Sequence, residues 1–193
     1  RDRDIIGTVD MPTECGTVIR KGKSYSQNAE IIDLLNSAGA IVMGKTTTSE
    51  LAYLSPPKTT NPHDYTRTPG GSSSGSAASV ASLMAPLSIG SQTGGSIIRP
   101  ASYCGVVGYK PSYGLISRNG VLRTSNSLDH IGMFARSVED VALLAKVLIK
   151  KDPYDPATVY FSAENILEET KKGPLFEPKF IFYKTDHWKI IDK

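Results

Sequence analysis

Two glycine–serine clusters stand close together in this chain: Gly71-Ser72-Ser73-Ser74-Gly75, and Gly90-Ser91-Gln92-Thr93-Gly94-Gly95-Ser96. A serine hydroxyl is a weak nucleophile and needs a base within hydrogen-bond reach. Two familiar ways of using such residues can be checked by pattern. G-x-x-x-x-G-K-[ST] and G-x-G-x-x-G are both absent, and "GSQTGGS" lacks a lysine where a phosphate loop requires one. Gly71–Gly75 does match G-x-S-x-G with Ser73 central. An esterase elbow needs an apolar strand directly before it, however, and "HDYTRTP" reads as a loop.

Other reactive residue types form no cluster. His63, His130 and His187 are isolated, with no cysteine nearby for a metal site. Asp129-His130 could suggest a polarised base, but a histidine satisfied in a loop is the better reading. Cys15 and Cys104 alone make no disulfide framework, so a cytoplasmic setting is the default. The net charge of +3 is too small, and Lys and Arg too dispersed, for a nucleic-acid surface. No apolar run reaches the roughly 18 residues of a membrane span. "RDRDIIGTVD" has no apolar segment of a signal peptide.

The surrounding elements must position the serines. "QNAEIIDLLNSAGA" places Ile31, Ile32, Leu34, Leu35 and Ala38 on one helical face closed by Gly39. "AIVMG" reads as a short buried strand and "TSELAY" as a second helix. "GSAASVASLMA" predicts a packed helix, "PLSIG" a strand, "IIRP" a strand, and "CGVVGYK" a strand ended by Lys110-Pro111. "SVEDVALLAKVLIKK" is the clearest helix, with Ser137 and Asp140 as a capping box and Val138, Val141, Leu144, Ala145 and Leu148 on one face. "KFIFYKTDHW" predicts a strand followed by a loop. The glycine–serine clusters therefore sit at element ends inside a fold, where backbone N–H groups become available to negative charge.

The stretch from Pro69 to Gly114, with "GGSSSGSAA", "GSQTGGSIIRP" and "PASYCGVVGYKPSYG", resembles the amidase signature family of serine hydrolases. "DMPTECG", "GAIVMGKTTTSEL", "GMFARSVEDVALL" and "YKTDHW" follow in that family's order. The resemblance implies an α/β fold, a mixed twisted β-sheet covered by helices, incomplete in this chain. Residues 1–150 would form the core and 151–193 a linker and the start of the C-terminal part. It implies Ser96 as nucleophile and Ser72, 24 residues earlier (96 − 72), as a relay serine after a cis peptide bond. Thr93, Gly94 and Gly95 would supply the oxyanion N–H groups. Arg99, three residues after Ser96, reads either as a fork for a substrate carboxylate or as a structural arginine bonding nearby carbonyls. The implied reaction is hydrolysis of a carboxylic amide through an acyl-enzyme, with no metal and no cofactor. The partner is a small-molecule amide, with no nucleic acid and no membrane segment expected and a homodimer left open.

One departure bears on the chemistry. The family's base is a lysine in a Lys-Asp pair, and Arg3-Asp4 stands at that place. An arginine stays protonated, with a pKa above about 12, and cannot take a proton from Ser72. Lys21, Lys23 and Lys45 are substitutes by type, although Lys45 reads better as structural. Either the chain is a weakened or inactive member, or the edge of the sequence departs from the parent. The alternatives to an amidase are a non-catalytic binding relative that lost its base and an amidotransferase-type component that works on charged tRNA.

Overall fold

The computed structural model describes residues 2–174 and 176–190. Strand β1 (Asp2–Arg3) pairs in parallel with β2 (Lys45–Thr46), with helix α1 (Glu30–Ser37) between them in sequence. Helix α2 (Ser74–Ala81), strand β3 (Leu87–Gln92), helix α3 (Ile98–Cys104) and strands β4 (Val107–Tyr109) and β5 (His130–Ala135) follow. Helix α4 (Val138–Leu148) and the short α5 (Ile166–Glu169) complete the order. The main sheet has the order β3-β5-β4 and is antiparallel throughout. The fold is α/β as expected, but the two pairing senses occur in separate pieces.

Side chains alternate across a strand, and β5 uses both faces. Ile131, Met133 and Ala135 join Ile5, Ile6, Ile31, Ile89, Leu144 and Leu148 in the larger core, which holds α1 and α4. Phe134 points the other way and packs with Ala77, Val80, Ile97 and Ala101 of the α2–α3 layer. The central strand is thus covered on both sides, and the glycine–serine clusters lie in the second layer.

Most predicted elements form. In α1, Ile31, Ile32 and Leu35 are buried, and Gly39 closes the helix at φ +80°. In α4, the Ser137 hydroxyl accepts the Asp140 N–H at 3.1 Å, while Val138, expected on the buried face, is exposed. Four expectations need correction. "IIRP" opens α3 rather than a strand. Pro100 falls in the first turn, where its missing N–H costs nothing, and Gly105 ends the helix at φ +64°. "TSELAY" gives a single 3-10 turn (Glu50–Ala52), because Leu51 and Ala52 both have positive φ and Pro56-Pro57 follow. "AIVMG" makes no strand ahead of Lys45. Ile41 and Met43 are exposed beside β3, around an apolar hollow of about 250 Å³ that Leu35, Leu87 and Leu144 also line. "KFIFYKTDHW" has no strand either: Phe180, Ile181 and Phe182 are exposed, and no described strand lies beside them to complete a ladder.

The stretch after α4 folds back onto the core. Asp152 accepts the Ser117 hydroxyl at 2.5 Å. Asp155, buried, accepts both Arg118 Nη2 (2.9 Å) and Nε (3.0 Å), together with the Arg118 N–H (2.8 Å). Burial opposes the Asp155 charge, but these hydrogen bonds prevail and hold its pKa down at about 2. Removing one partner of a buried pair strands the other. Asp155→Ala is expected to lower unfolding free energy by about 3–5 kcal/mol in chemical denaturation. A carboxylate whose pKa is depressed by folding stabilises above its unfolded value, near 4, and loses that contribution as pH falls towards 2. The gap between wild type and variant should therefore close over that window.

Candidate active site

Arg3 ends β1 and is fully buried. Its guanidinium is spread over three serine and threonine residues. Nε donates to Thr48 Oγ1 at 2.9 Å, and Nη1 to the Ser91 carbonyl at 3.1 Å and also to the Ser91 hydroxyl. Nη2 donates to Ser72 Oγ. Burial pushes its pKa down to about 9, against the field of Asp129, which favours the charge. The pKa therefore lies lower than the sequence alone suggests. At neutral pH the group is still protonated, able to donate to Ser72 and unable to accept from it.

Ser72 is held from behind as well. The Gly71–Ser72 peptide bond is cis, as the resemblance implied. The Ser72 carbonyl accepts Thr48 Oγ1 (3.1 Å) and the Ser49 N–H (3.2 Å). Arg99 reaches across with Nε (3.0 Å) and Nη2 (2.9 Å) to the Gly71 carbonyl, so two of its donors serve the loop carrying Ser72. Ser73 is fully buried. Its hydroxyl donates to the Ser91 carbonyl (3.1 Å) and accepts the Ser91 N–H (3.3 Å), so Ser73 is a structural tie with no opening to substrate.

Close approach explains why this layer contains so many glycines. Gly90 and Gly132 are register partners on β3 and β5. A Cβ at Gly90 would lie 2.6 Å from the Phe134 ring and 2.8 Å from Ser73 Oγ. One at Gly132 would lie 2.3 Å from the Tyr109 carbonyl and 2.4 Å from Ile97. The paired glycines let the start of α2 and the start of α3 settle on the sheet, which brings Ser73 N–H to the Ser96 carbonyl at 3.3 Å. Gly75 plays the same part against Thr47, whose backbone would be 2.7 Å from an added Cβ.

Ser96 stands at the head of α3, half-buried. Its hydroxyl makes no hydrogen bond to another described residue, and none joins it to Ser72 Oγ, contrary to the direct contact a relay requires. The N–H groups of Thr93, Gly94 and Gly95 likewise meet no acceptor among the described residues, and Thr93 and Gly94 are exposed. The glycines here are not demanded by protein packing. A Cβ at Gly94 would meet nothing among the described residues, and one at Gly95 only Arg99, at 4.0 Å.

Four neighbours were not identified from sequence. Gln92 Oε1 accepts the N–H groups of Ile97 (2.8 Å) and Ile98 (3.1 Å), anchoring the far end of the Ser96 loop. Thr48 and Ser91 receive Arg3. Asp129 accepts from Thr93, Thr124 and Ser125, whereas its neighbour His130 bonds the Leu128 carbonyl through Nδ1 at 2.6 Å. The Asp-His pair is therefore no catalytic dyad. Gln92 stands in the second glycine–serine cluster itself, where an acceptor side chain beside a glycine run was the available signal. Lys45 is structural: Nζ donates to the Ile6 carbonyl (2.5 Å) and Thr13 Oγ1 (2.8 Å). Lys21 and Lys23 are exposed. Among the described residues no cluster of His, Cys, Asp and Glu could hold a metal ion, and no helix is long and apolar enough to cross a membrane.

Comparison with known proteins identifies the family. A glutamyl-tRNA(Gln) amidotransferase subunit of Sulfurihydrogenibium sp. is 46% identical over 176 residues, covering 88% of this chain and 36% of that protein. The protein of the same name from Methanosarcina mazei is 42% identical, covering 96% of this chain and 41% of its own length. This chain thus spans well under half the length of the curated relatives it matches. Among solved structures, the corresponding glutamyl-tRNA(Gln) amidotransferase subunit of Thermotoga maritima superposes with a TM-score of 0.80 at 40% identity, over 83% of this chain and 37% of that one. The native peptide amidase of Stenotrophomonas maltophilia also gives 0.80, at 35% identity, over 88% and 37%. The Amidase family model matches from residue 3 to residue 193, beginning at the buried arginine itself, and the chain belongs to the amidase signature family.

Proposed function

We propose that this chain carries the acyl-transfer half of an amidase, with Ser96 as nucleophile, Ser72 as the relay and position 3 as the site of the base. One observation carries the reading. The side chain at position 3 is buried against Ser72, whose own loop is bonded to the Ser96 loop, and the N–H groups before Ser96 have no acceptor among the described residues. Ser96 Oγ would attack the amide carbonyl, forming a C–O bond while its proton passes to Ser72 and Ser72's own proton to the base. The carbonyl oxygen, now negative, would be held by the N–H groups of Thr93, Gly94 and Gly95, each worth about 2.7–4 kcal/mol by analogy with other oxyanion donors. The amine leaves with a proton returned by the same route, and water then cleaves the acyl-enzyme. The substrate is a small carboxylic amide, and neither a metal nor a cofactor is required. For this transfer the hydroxyls of Ser72 and Ser96 must come within hydrogen-bond reach of each other when substrate is bound.

Arg3 limits the reaction. Protonated, it fixes the Ser72 hydrogen bond in the wrong direction for base catalysis. This favours a second reading, a relative that keeps the pocket and binds without turnover. A third reading, a component that works on charged tRNA together with partner proteins, is supported by the name shared by the curated relatives reported above. A cytoplasmic setting accords with either enzyme reading.

A fluorophosphonate probe separates turnover from binding. Labelling at Ser96, lost in Ser96→Ala and retained in Ser73→Ala, is the expected result. Labelling that survives Ser96→Ala and disappears with Ser73→Ala would return the nucleophile to Ser73.

The base is tested by Arg3→Lys. General-base assistance is worth about 10²–10⁴-fold, so amide hydrolysis should rise by that order. A lysine acts only after losing its proton, and burial at this position disfavours the charged form. The rate of the variant should therefore climb with pH through the lysine's titration and level off above it. An Arg3 protein already fully active, and unchanged by the substitution, would place the base elsewhere.

A further inference from the structure

We propose that Asp129 is a positioning residue for the oxyanion loop: its carboxylate locks Thr93 and, through it, sets the N–H groups of Thr93, Gly94 and Gly95. The proposal rests on the amidase reading above and adds a residue to it.

Asp129 is buried at the start of β5, and Thr93 follows the end of β3, 36 residues earlier in the chain. Asp129 Oδ1 accepts Thr93 Oγ1 at 2.5 Å and Thr124 Oγ1 at 2.9 Å. Oδ2 accepts the N–H groups of Thr124 (2.7 Å) and Ser125 (2.9 Å). Thr93 Oγ1 and Thr124 Oγ1 are themselves 2.9 Å apart. Each hydroxyl has one proton, and the carboxylate is the acceptor that can take both. The acid therefore ties the oxyanion loop to the 124–125 turn.

The loop has few other fixings. Gln92 holds its far end through Ile97 and Ile98. Between these anchors lie two glycines with little around them and no hydrogen bond on their N–H groups among the described residues; Gly95 is tied by its carbonyl, which accepts the Arg99 N–H at 2.9 Å, and Gly94 by neither group. Glycine backbone without packing is free to wander, whereas oxyanion donors are effective because they are preorganised. The Thr93–Asp129 bond supplies the missing constraint. Burial works against the Asp129 charge, yet the donors from Ser125, Thr93 and Thr124 hold its pKa below the ordinary carboxylate value, so at neutral pH it is an acceptor only.

Asp129→Ala would also strip Thr124 and Ser125 of their acceptor and could unfold the turn, so Thr93 carries the test. In the 193-residue chain, Thr93→Val deletes the hydroxyl and leaves the Thr124 and Ser125 bonds to Asp129 intact, while Thr93→Ser restores the hydroxyl. Two readouts are taken: ¹⁵N order parameters of the Gly94 and Gly95 amides, and the rate of fluorophosphonate labelling at Ser96 as a function of probe concentration. In Thr93→Val the order parameters should fall from about 0.85 to below about 0.6. The limiting labelling rate should drop by roughly 10², the scale of a lost oxyanion donor, with half-saturation unchanged. Thr93→Ser should return both towards wild type. Rigid glycines and wild-type labelling in Thr93→Val would overturn the proposal. So would loosened glycines with unchanged labelling, which would make the bond a structural tie alone. If the wild-type chain is not labelled, the amidase reading falls. The order parameters then decide the lock alone, supported by loss in Thr93→Val with recovery in Thr93→Ser and overturned by no loss.

Discussion

A guanidinium buried without a carboxylate against it organises this half of the molecule. Taking a cation out of water is costly unless its donors are satisfied. Arg3 meets that demand with neutral acceptors from three separate segments: Thr48 after β2, Ser91 in β3, and Ser72 ahead of α2. Each acceptor is fixed in turn. Thr48 donates on to the Ser72 carbonyl, and Ser91 exchanges two bonds with Ser73. Moving any of these segments would leave a buried charge unpaired, so they are held in one arrangement.

That arrangement is possible only because the sheet lets the helices in. The facing glycines Gly90 and Gly132 remove two side chains where Ser73, Phe134 and Ile97 must fit. Ser72 and the Ser96 loop then share one wall, while the ends of that loop are held by acceptors, Gln92 and Asp129. The glycines of the chain thus fall into two groups. Gly75, Gly90 and Gly132 make room for neighbouring segments, whereas an added Cβ at Gly94 or Gly95 would meet almost nothing among the described residues.

The chemistry at position 3 is set by the same burial. Desolvation weakens the arginine's hold on its proton without removing it at neutral pH. The group that orders the site is therefore a donor to Ser72 and not an acceptor from it. A lysine at the same place would have a compact ammonium in place of a rigid fork, with fewer fixed donors and a proton it can give up.

The amino-acid sequence was enough to mark both serine clusters, the helices α1, α2 and α4, and the strands β3 and β4, because apolar periodicity and capping residues are local properties. The family motifs were also contiguous, so Arg3, Ser72 and Ser96 could be picked out before any contact was known. Features that depend on partners far along the chain could not be read this way. "IIRP" became a helix because Gln92 accepts its first N–H groups. "KFIFYKTDHW", strand-like in composition, lies without a ladder because a strand exists only where another lies beside it, and no described strand does. Asp129 looked like a histidine's partner and proved to hold Thr93, and Ser73 fitted an elbow pattern but is sealed against β3. In each case the residue's type fixed what bonds it could make, and folding settled which partner came within reach.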